Sequence, residues 1–378
     1  MTSLLSVFVV REFIVALPLL FGALFPGGEA LAEAPADIAG QARYQDYVFG
    51  PAREMIDLGI QPLWMPLGVI VETMRRDLFL REDLHRMGKG VRFHPFLKGL
   101  DVNRFLHAGK LTAGVGGDLP GINACLDDQV RVVSMMEMGY STIVTRDSML
   151  LTDLRGLRIG YPPGSASHLA LLKALAIVEM TAKDVHLIAM DVHAMPAALR
   201  QGEIDAYSAW EPTPTLSTSQ GWGWPLFRST MVGYLYFAPA LARDDPLVVK
   251  HFLASQVRAL IWLRQSERHL RQAVQWAVQS ARDFIHDIPL PAQEELEVIA
   301  LRGLRRLGTV PAIEEQGLTR EGHLGQMLGF LKKIGKIPDS VSLESVRSCY
   351  DLKTLQEVLD DPAGHRLRIF SYQGVDTP

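Results

Sequence analysis

Residues 161–169 read YPPGSASHL. A serine three residues before a histidine raises nucleophilic catalysis. A glycine and a serine behind two prolines raise a tight turn or a cradle for an anion. The nucleophile reading needs Gly-x-Ser-x-Gly, and neither Ser165 nor Ser167 has the flanking glycines. Other catalytic signatures fail as well. Gly109-Lys110 is followed by Leu111, so there is no phosphate-binding Walker loop. Gly114, Gly116 and Gly117 do not make a dinucleotide fingerprint, because position 119 is leucine. His186 and His193, with Asp184 and Asp191, flank one expected strand instead of sharing a helical face, a poor arrangement for a metal.

The anion cradle is the reading that fits. A helix start presents unpaired N–H groups and a partial positive charge, and small residues let an anion approach them. Gly164, Ser165 and Ala166 suit this, with a hydroxyl of Ser165 or Ser167 as a further donor. Gly117, followed by Asp118, suits it at a second strand end. Trp64 and Trp210 lie at two more strand ends and could wall a cleft apolarly. Glu211, between Trp210 and Pro212, could bind a cationic group or position a loop. His168 and Glu211 are the only candidates for an acid–base pair. Each has a plain structural alternative: turn and cap residues, core aromatics, a surface charge.

These residues need elements to hold them. Strands are expected at Ile56 to Gln61, Val91 to Phe96, Leu111 to Val115 and Val130 to Met136, with helical periodicity from Leu67 to Leu80 and a short helix capped by Asp101 and running to His107. The pattern repeats: strands at Leu157 to Tyr161, Val185 to Met190 and Ile204 to Trp210, and helices at Ala166 to Val178 and Met195 to Arg200. Strands separated by helices imply mainly parallel sheets. Leu106 to Ala113 and Leu199 to Ala206 share leucine, glycine and alanine in register, which indicates two similar lobes. From Pro246 the chain becomes helical: Leu247 to Phe284 behind an Asp245 cap, then Glu294 to Leu307 and Glu321 to Ile334. Residues 362–378 read as a loose tail.

The composition suits a two-core globular chain: 378 residues, 48% hydrophobic, 21% charged. A net charge of -4 without a basic block argues against nucleic acid. Cys125 and Cys349 match no metal spacing, and free thiols and one long-range disulfide both remain open. Arg11, the apolar run Phe13 to Phe25 and Ala30-Leu31-Ala32 have the order of a cleaved secretory signal over residues 1–32, with an uncleaved anchor as the alternative. No cysteine follows the apolar run, so lipid attachment there is excluded. A soluble, exported, periplasmic protein is expected.

Asp153 to Ile159, Pro163-Gly164-Ser165, Ala198-Leu199, Gly202 to Ala206 and Trp210-Glu211-Pro212 together resemble one family. It is the periplasmic substrate-binding proteins of ABC importers for nitrate, taurine and aliphatic sulfonates. Gly116 to Pro120 and Gly335-Lys336-Ile337 extend the pattern, which runs over roughly residues 55–360. The resemblance implies an α/β, two-lobed periplasmic binding protein type II fold, each lobe a mainly parallel sheet flanked by helices, with a helical C-terminal part. Lobe one would hold 55–145 and 238–340, lobe two 146–237, and 341–378 would be an extension. Ser141 to Arg146 and Met231 to Phe237 would be the hinges. The ligand, a small anionic or zwitterionic solute, would contact Trp64, Gly117, Asp118, Gly164, Ser165, Ala166, His168, Trp210 and Glu211. The closed form would dock on an ABC permease in the inner membrane, and a monomer without a cofactor is expected. Gln61 to Gly68 fits the family only loosely, which leaves the ligand open. Thiamine-pyrimidine synthases of the wider group carry a cysteine-rich motif that is absent here. That weakens an enzyme reading; a ligand sensor is the third alternative.

Overall fold

A computed structural model describes residues 43–308 and 310–375; the expected signal segment lies outside them. The first half of the sheet contains β1 (Met55–Ile60), β2 (Gly90–Pro95) and β3 (Ala113–Gly117), with helices α1 (Leu67–Arg76), α2 (Leu78–Arg86), α3 (Gly99–His107) and α4 (Asp118–Leu126). A long strand, β4 (Arg131–Thr145), leads to the second half. There β5 (Arg158–Tyr161), β6 (His186–Ala189) and β7 (Ala206–Trp210) alternate with α5 (Ala166–Ile177), α6 (Met195–Gln201) and α7 (Thr213–Ser219). A second long strand, β8 (Trp224–Phe237), returns the chain to the first half. Helices follow: α8 (Pro239–Asp244), α9 (Pro246–Gln265), α10 (Glu267–Phe284), α11 (Gln293–Leu307), α12 (His323–Lys333), α13 (Leu343–Arg347) and α14 (Thr354–Asp360).

The strands form one eight-stranded sheet in the order β2-β1-β3-β8-β4-β7-β5-β6. The outer trios are parallel: β1 lies between β2 and β3, and β5 between β6 and β7. Each trio repeats the other in strand order, the physical content of the expected two-fold echo. Gly109 and Gly202, the echoed glycines, both close a helix at positive φ, 65° and 73°. The middle is antiparallel and is the part that departs from a mainly parallel reading. Strands β4 and β8 pair from Arg131↔Phe237 to Thr145↔Trp224. β3 joins the C-terminal half of β8, and β7 the C-terminal half of β4. The two expected hinge segments are thus parts of the long strands that both halves share.

Three sequence expectations are corrected. Asp101 lies within the first turn of α3, where Lys98 is the N-cap position. The helix expected from Leu247 to Phe284 is broken at Ser266, whose side chain accepts the N–H of His269 and caps α10. The C-terminal tail is docked, not loose: Tyr372 is buried, Leu78 N–H donates to the Ser371 carbonyl and Gln373 N–H to that of Arg76. Cys125 and Cys349 form a disulfide, which ties α4 to the segment that follows α13.

Candidate functional site

The carboxyl ends of β1, β3, β5 and β7 are the edges where open α/β sheets receive ligands. All four expected loops converge there. The rings of Trp64, after β1, and Trp210, ending β7, lie 6.3 Å apart. Both are buried, and neither indole N–H has a partner among the described residues. Met65 N–H donates to the Glu211 carbonyl at 3.0 Å, so the first-half loop is bonded to the second-half loop. Both X–Pro bonds here, Met65–Pro66 and Glu211–Pro212, are cis. A Cβ added at Gly117 would lie 3.4 Å from the Ala166 Cβ and 3.8 Å from Trp64 Cη2. The bare end of β3 therefore faces the start of α5 across the two halves.

At that start the N–H groups of Ala166 and Ser167 have no acceptor among the described residues, as expected of a first turn. The hydroxyls are engaged elsewhere. Ser165 Oγ donates to the Pro162 carbonyl at 2.7 Å and accepts the His168 N–H at 3.2 Å, a standard N-cap. Ser167 Oγ donates to Ser141 Oγ on β4 at 2.9 Å. What the loop offers a ligand is its backbone. Gly164, at φ 66°, is required by the turn, and a Cβ there would also crowd Leu100 Cδ2 at 2.8 Å.

His168 packs against the Tyr161 ring at 4.6 Å, and its Nδ1 accepts the Gly164 N–H. Burial, with the charge of Lys336 adding, pushes its imidazole down to about 4, so it is neutral at ordinary pH. Asp118 is buried and held by its neighbours: Oδ1 accepts the Leu119 N–H, and Oδ2 accepts the Val232 N–H and contacts His323 Nε2 at 3.0 Å. It secures α4 to β8 and α12. Glu211 is half-buried and its carboxylate accepts the Thr215 N–H at the start of α7. Burial raises its carboxyl above the usual range. His168 and Glu211 are each occupied by local contacts, and no hydrogen bond among the described residues joins them as an acid–base pair.

One site residue escaped sequence reading. Glu137, on β4, is 3% exposed, and its Oε2 has no partner among the described residues. Burial first, then the Leu67 N–H acting in the opposite sense and the nearby Glu211 charge, leave its carboxyl well above the usual range. Its signal was a lone carboxylate in the run VVSMMEMG. Among the described residues no cluster of histidine, cysteine and carboxylate side chains could hold a metal ion, and the His186/His193 set does not assemble.

Comparison with known proteins bears on the fold. Residues 137–278 match the family model described as the NMT1-like family. Solved structures superpose over most of the chain. The alkanesulfonate-binding protein SsuA of Xanthomonas axonopodis pv. citri, bound to MOPS, covers 80% of this chain and 99% of its own, with a TM-score of 0.61 and 17% identity. The fold is that of the periplasmic binding proteins. The periplasmic nitrate-binding protein NrtA of Synechocystis PCC 6803 shares this periplasmic binding protein fold over 84% of this chain and 91% of its own, TM-score 0.61, at 14% identity. By sequence, the taurine-binding periplasmic protein of Escherichia coli is 27% identical over 48% of this chain. An E. coli protein named for binding aliphatic sulfonates is 27% identical over 33%. The matched segments span 62% and 41% of these two relatives' lengths.

Proposed function

We propose that this chain is the solute-binding component of an ABC importer, that it acts in the periplasm, and that it captures a small organic anion between its two halves and hands it to a membrane permease. The observation that carries this reading is the facing of two bare strand ends. The start of α5, where the Ala166 and Ser167 N–H groups have no acceptor among the described residues, lies against Gly117, with Trp64 and Trp210 nearby. Such backbone donors suit an oxyanion, and the indoles exclude water from it. The names of the relatives support the ligand class. The ligand-contacting set in this reading is Trp64, Gly117, Gly164, Ala166 and Trp210. Ser165, Asp118, His168 and Glu211 hold those groups in place.

A binder is favoured over an enzyme by the same contacts. The serine hydroxyls and the imidazole that could do chemistry are committed to capping and packing. The lobe limits stay as proposed, 55–145 with 238–340 and 146–237, with β4 and β8 flexing between them. Isothermal titration of the protein against alkanesulfonates, taurine and nitrate tests the reading. It predicts micromolar or tighter binding of at least one, with one site per chain. A folded protein that binds none of them, or one that turns a ligand over, would overturn it.

A further inference from the structure

Glu137 is the residue of this junction that fold and packing leave unexplained. It sits opposite Gly233 in the β4/β8 ladder, so the two residues present the same face of the sheet. A Cβ at Gly233 would press on Trp64 Cη2 at 2.9 Å and on Leu67 Cδ1 at 3.2 Å. The Glu137 carboxyl therefore looks to the side where Trp64 and the start of α1 lie. Gly139, two residues on, has no side chain, and a Cβ there would collide with Glu137 Oε1. The strand is bare where the carboxyl needs room.

Among the described residues three buried polar atoms on these elements are orphans: Glu137 Oε2, Trp64 Nε1 and Trp210 Nε1. Buried polar atoms are nearly always paired, and the Trp64 ring links the other two, lying 6.3 Å from the Trp210 ring and against the Gly233 position opposite Glu137. The groups facing Glu137 set its protonation state. The Leu67 N–H comes from α1, the Glu211 carboxyl from the loop after β7, and the Arg306 charge from α11, where its guanidinium stacks on Tyr140. Arg228 of β8 and Arg302 of α11 act on Glu211, and the Glu211 charge in turn acts on the Tyr207 hydroxyl, which is hydrogen-bonded to Ser217. A carboxyl out of water, with one N–H, a second carboxyl near it and no paired cation, keeps its proton. All three orphans are then donors.

We propose that Glu137 is a ligand-binding residue of the cleft, meeting an oxyanion head group as a neutral carboxyl that donates its proton, alongside the indole N–H groups of Trp64 and Trp210. This inference rests on the binding reading above and adds the residue and the protonation state through which the head group is held. It gives anion capture a direction in pH. An anion that stays ionised throughout, such as a sulfonate, needs the proton already on Glu137. Its affinity falls by about tenfold per pH unit once pH exceeds the value of that carboxyl, with a proton taken up on binding. An ammonium group seated on the same carboxyl would have the opposite sign, affinity rising with pH and a proton released.

The test is isothermal titration of the full chain with ethanesulfonate and with 2-aminoethanesulfonate between pH 5.5 and 9.5, in two buffers of different ionisation enthalpy. For the wild type the inference predicts ethanesulfonate affinity that declines at the alkaline end, with proton uptake. In Glu137→Gln, whose amide still donates, it predicts affinity within about fivefold of wild type at pH 6 and a flat profile. Affinity flat or rising with pH, or proton release, overturns the inference and leaves the binding reading standing. A Glu137→Gln profile that keeps the wild-type slope also overturns it, since another group, such as Glu211, would then carry the proton. If the folded wild type binds neither sulfonate, the sulfonate-binding reading falls and takes the inference with it.

Discussion

His168 lies beside the loop that faces the cleft and is held neutral by its surroundings. Its folded value is about 4, against an ordinary 6.5. Between those values the unfolded chain binds a proton that the folded chain refuses, so stability falls as pH falls through the window. The full loss is on the order of 3 kcal/mol. Urea unfolding at pH 7, 5.5 and 4.5 should show it, and the slope should shrink in His168→Gln. An unchanged slope would mean that other buried histidines carry the effect. Gly117 is the cleaner probe of the cleft, because its φ is -70° and a Cβ there makes only ordinary contacts. Gly117→Ala should bind and melt like the wild type. Gly117→Leu should wedge β3 from α5 and weaken ligand by at least about a hundredfold, with a melting temperature within a few degrees. Gly164→Leu is a poorer test, since its positive φ strains any side chain. At this scale the sequence was informative about the loops and poor about orientation. Nothing in GSASH says that both serine hydroxyls turn inward, because their acceptors, Pro162 carbonyl and Ser141, are set by the turn and by a distant strand.

At the scale of elements, α4 is the helix whose start forms one side of the cleft, and it is anchored three ways. Asp118 ties its first turn to β8 and to His323 of α12, and Cys125 ties its last turn to Cys349. The disulfide closes a loop of 224 residues, and such cross-links contribute about 2–4 kcal/mol. Reduction under native conditions should lower the melting temperature by several degrees, and Cys125→Ser with Cys349→Ser should reproduce the shift. No change in either would show that the buried contacts of this segment hold α4 alone. The outer strands were legible from alternation and glycine punctuation, because each is short and bounded by its own turn signals. The long strands were not. Only the first half of β4 is expected as a strand, residues 231–237 of β8 are expected as a hinge, and no element is assigned to 224–230. A strand that pairs with different partners along its length shows no single burial rhythm: the first half of β8 is largely exposed and the second half buried.

For the whole molecule, the two parallel trios and the shared antiparallel pair make one sheet with a closed junction, joined across by the Met65 to Glu211 hydrogen bond. In the proposed reading a ligand entering that junction parts Trp64 from Trp210 and takes over donors that have no partner among the described residues. Closing on a ligand then replaces orphaned groups by paired ones, the source of a favourable closed state. The two parallel trios could be anticipated because their repeat is written twice in the chain. The junction between them could not, since it depends on the distance between residues 64 and 210, which no local pattern encodes. The direct test is a crystal structure of the protein grown with the tightest-binding sulfonate. The account predicts the sulfonate oxygens within hydrogen-bond distance of the Ala166 and Ser167 N–H groups, between Trp64 and Trp210. A sulfonate bound away from the α5 start, with those N–H groups still unpaired, would contradict it.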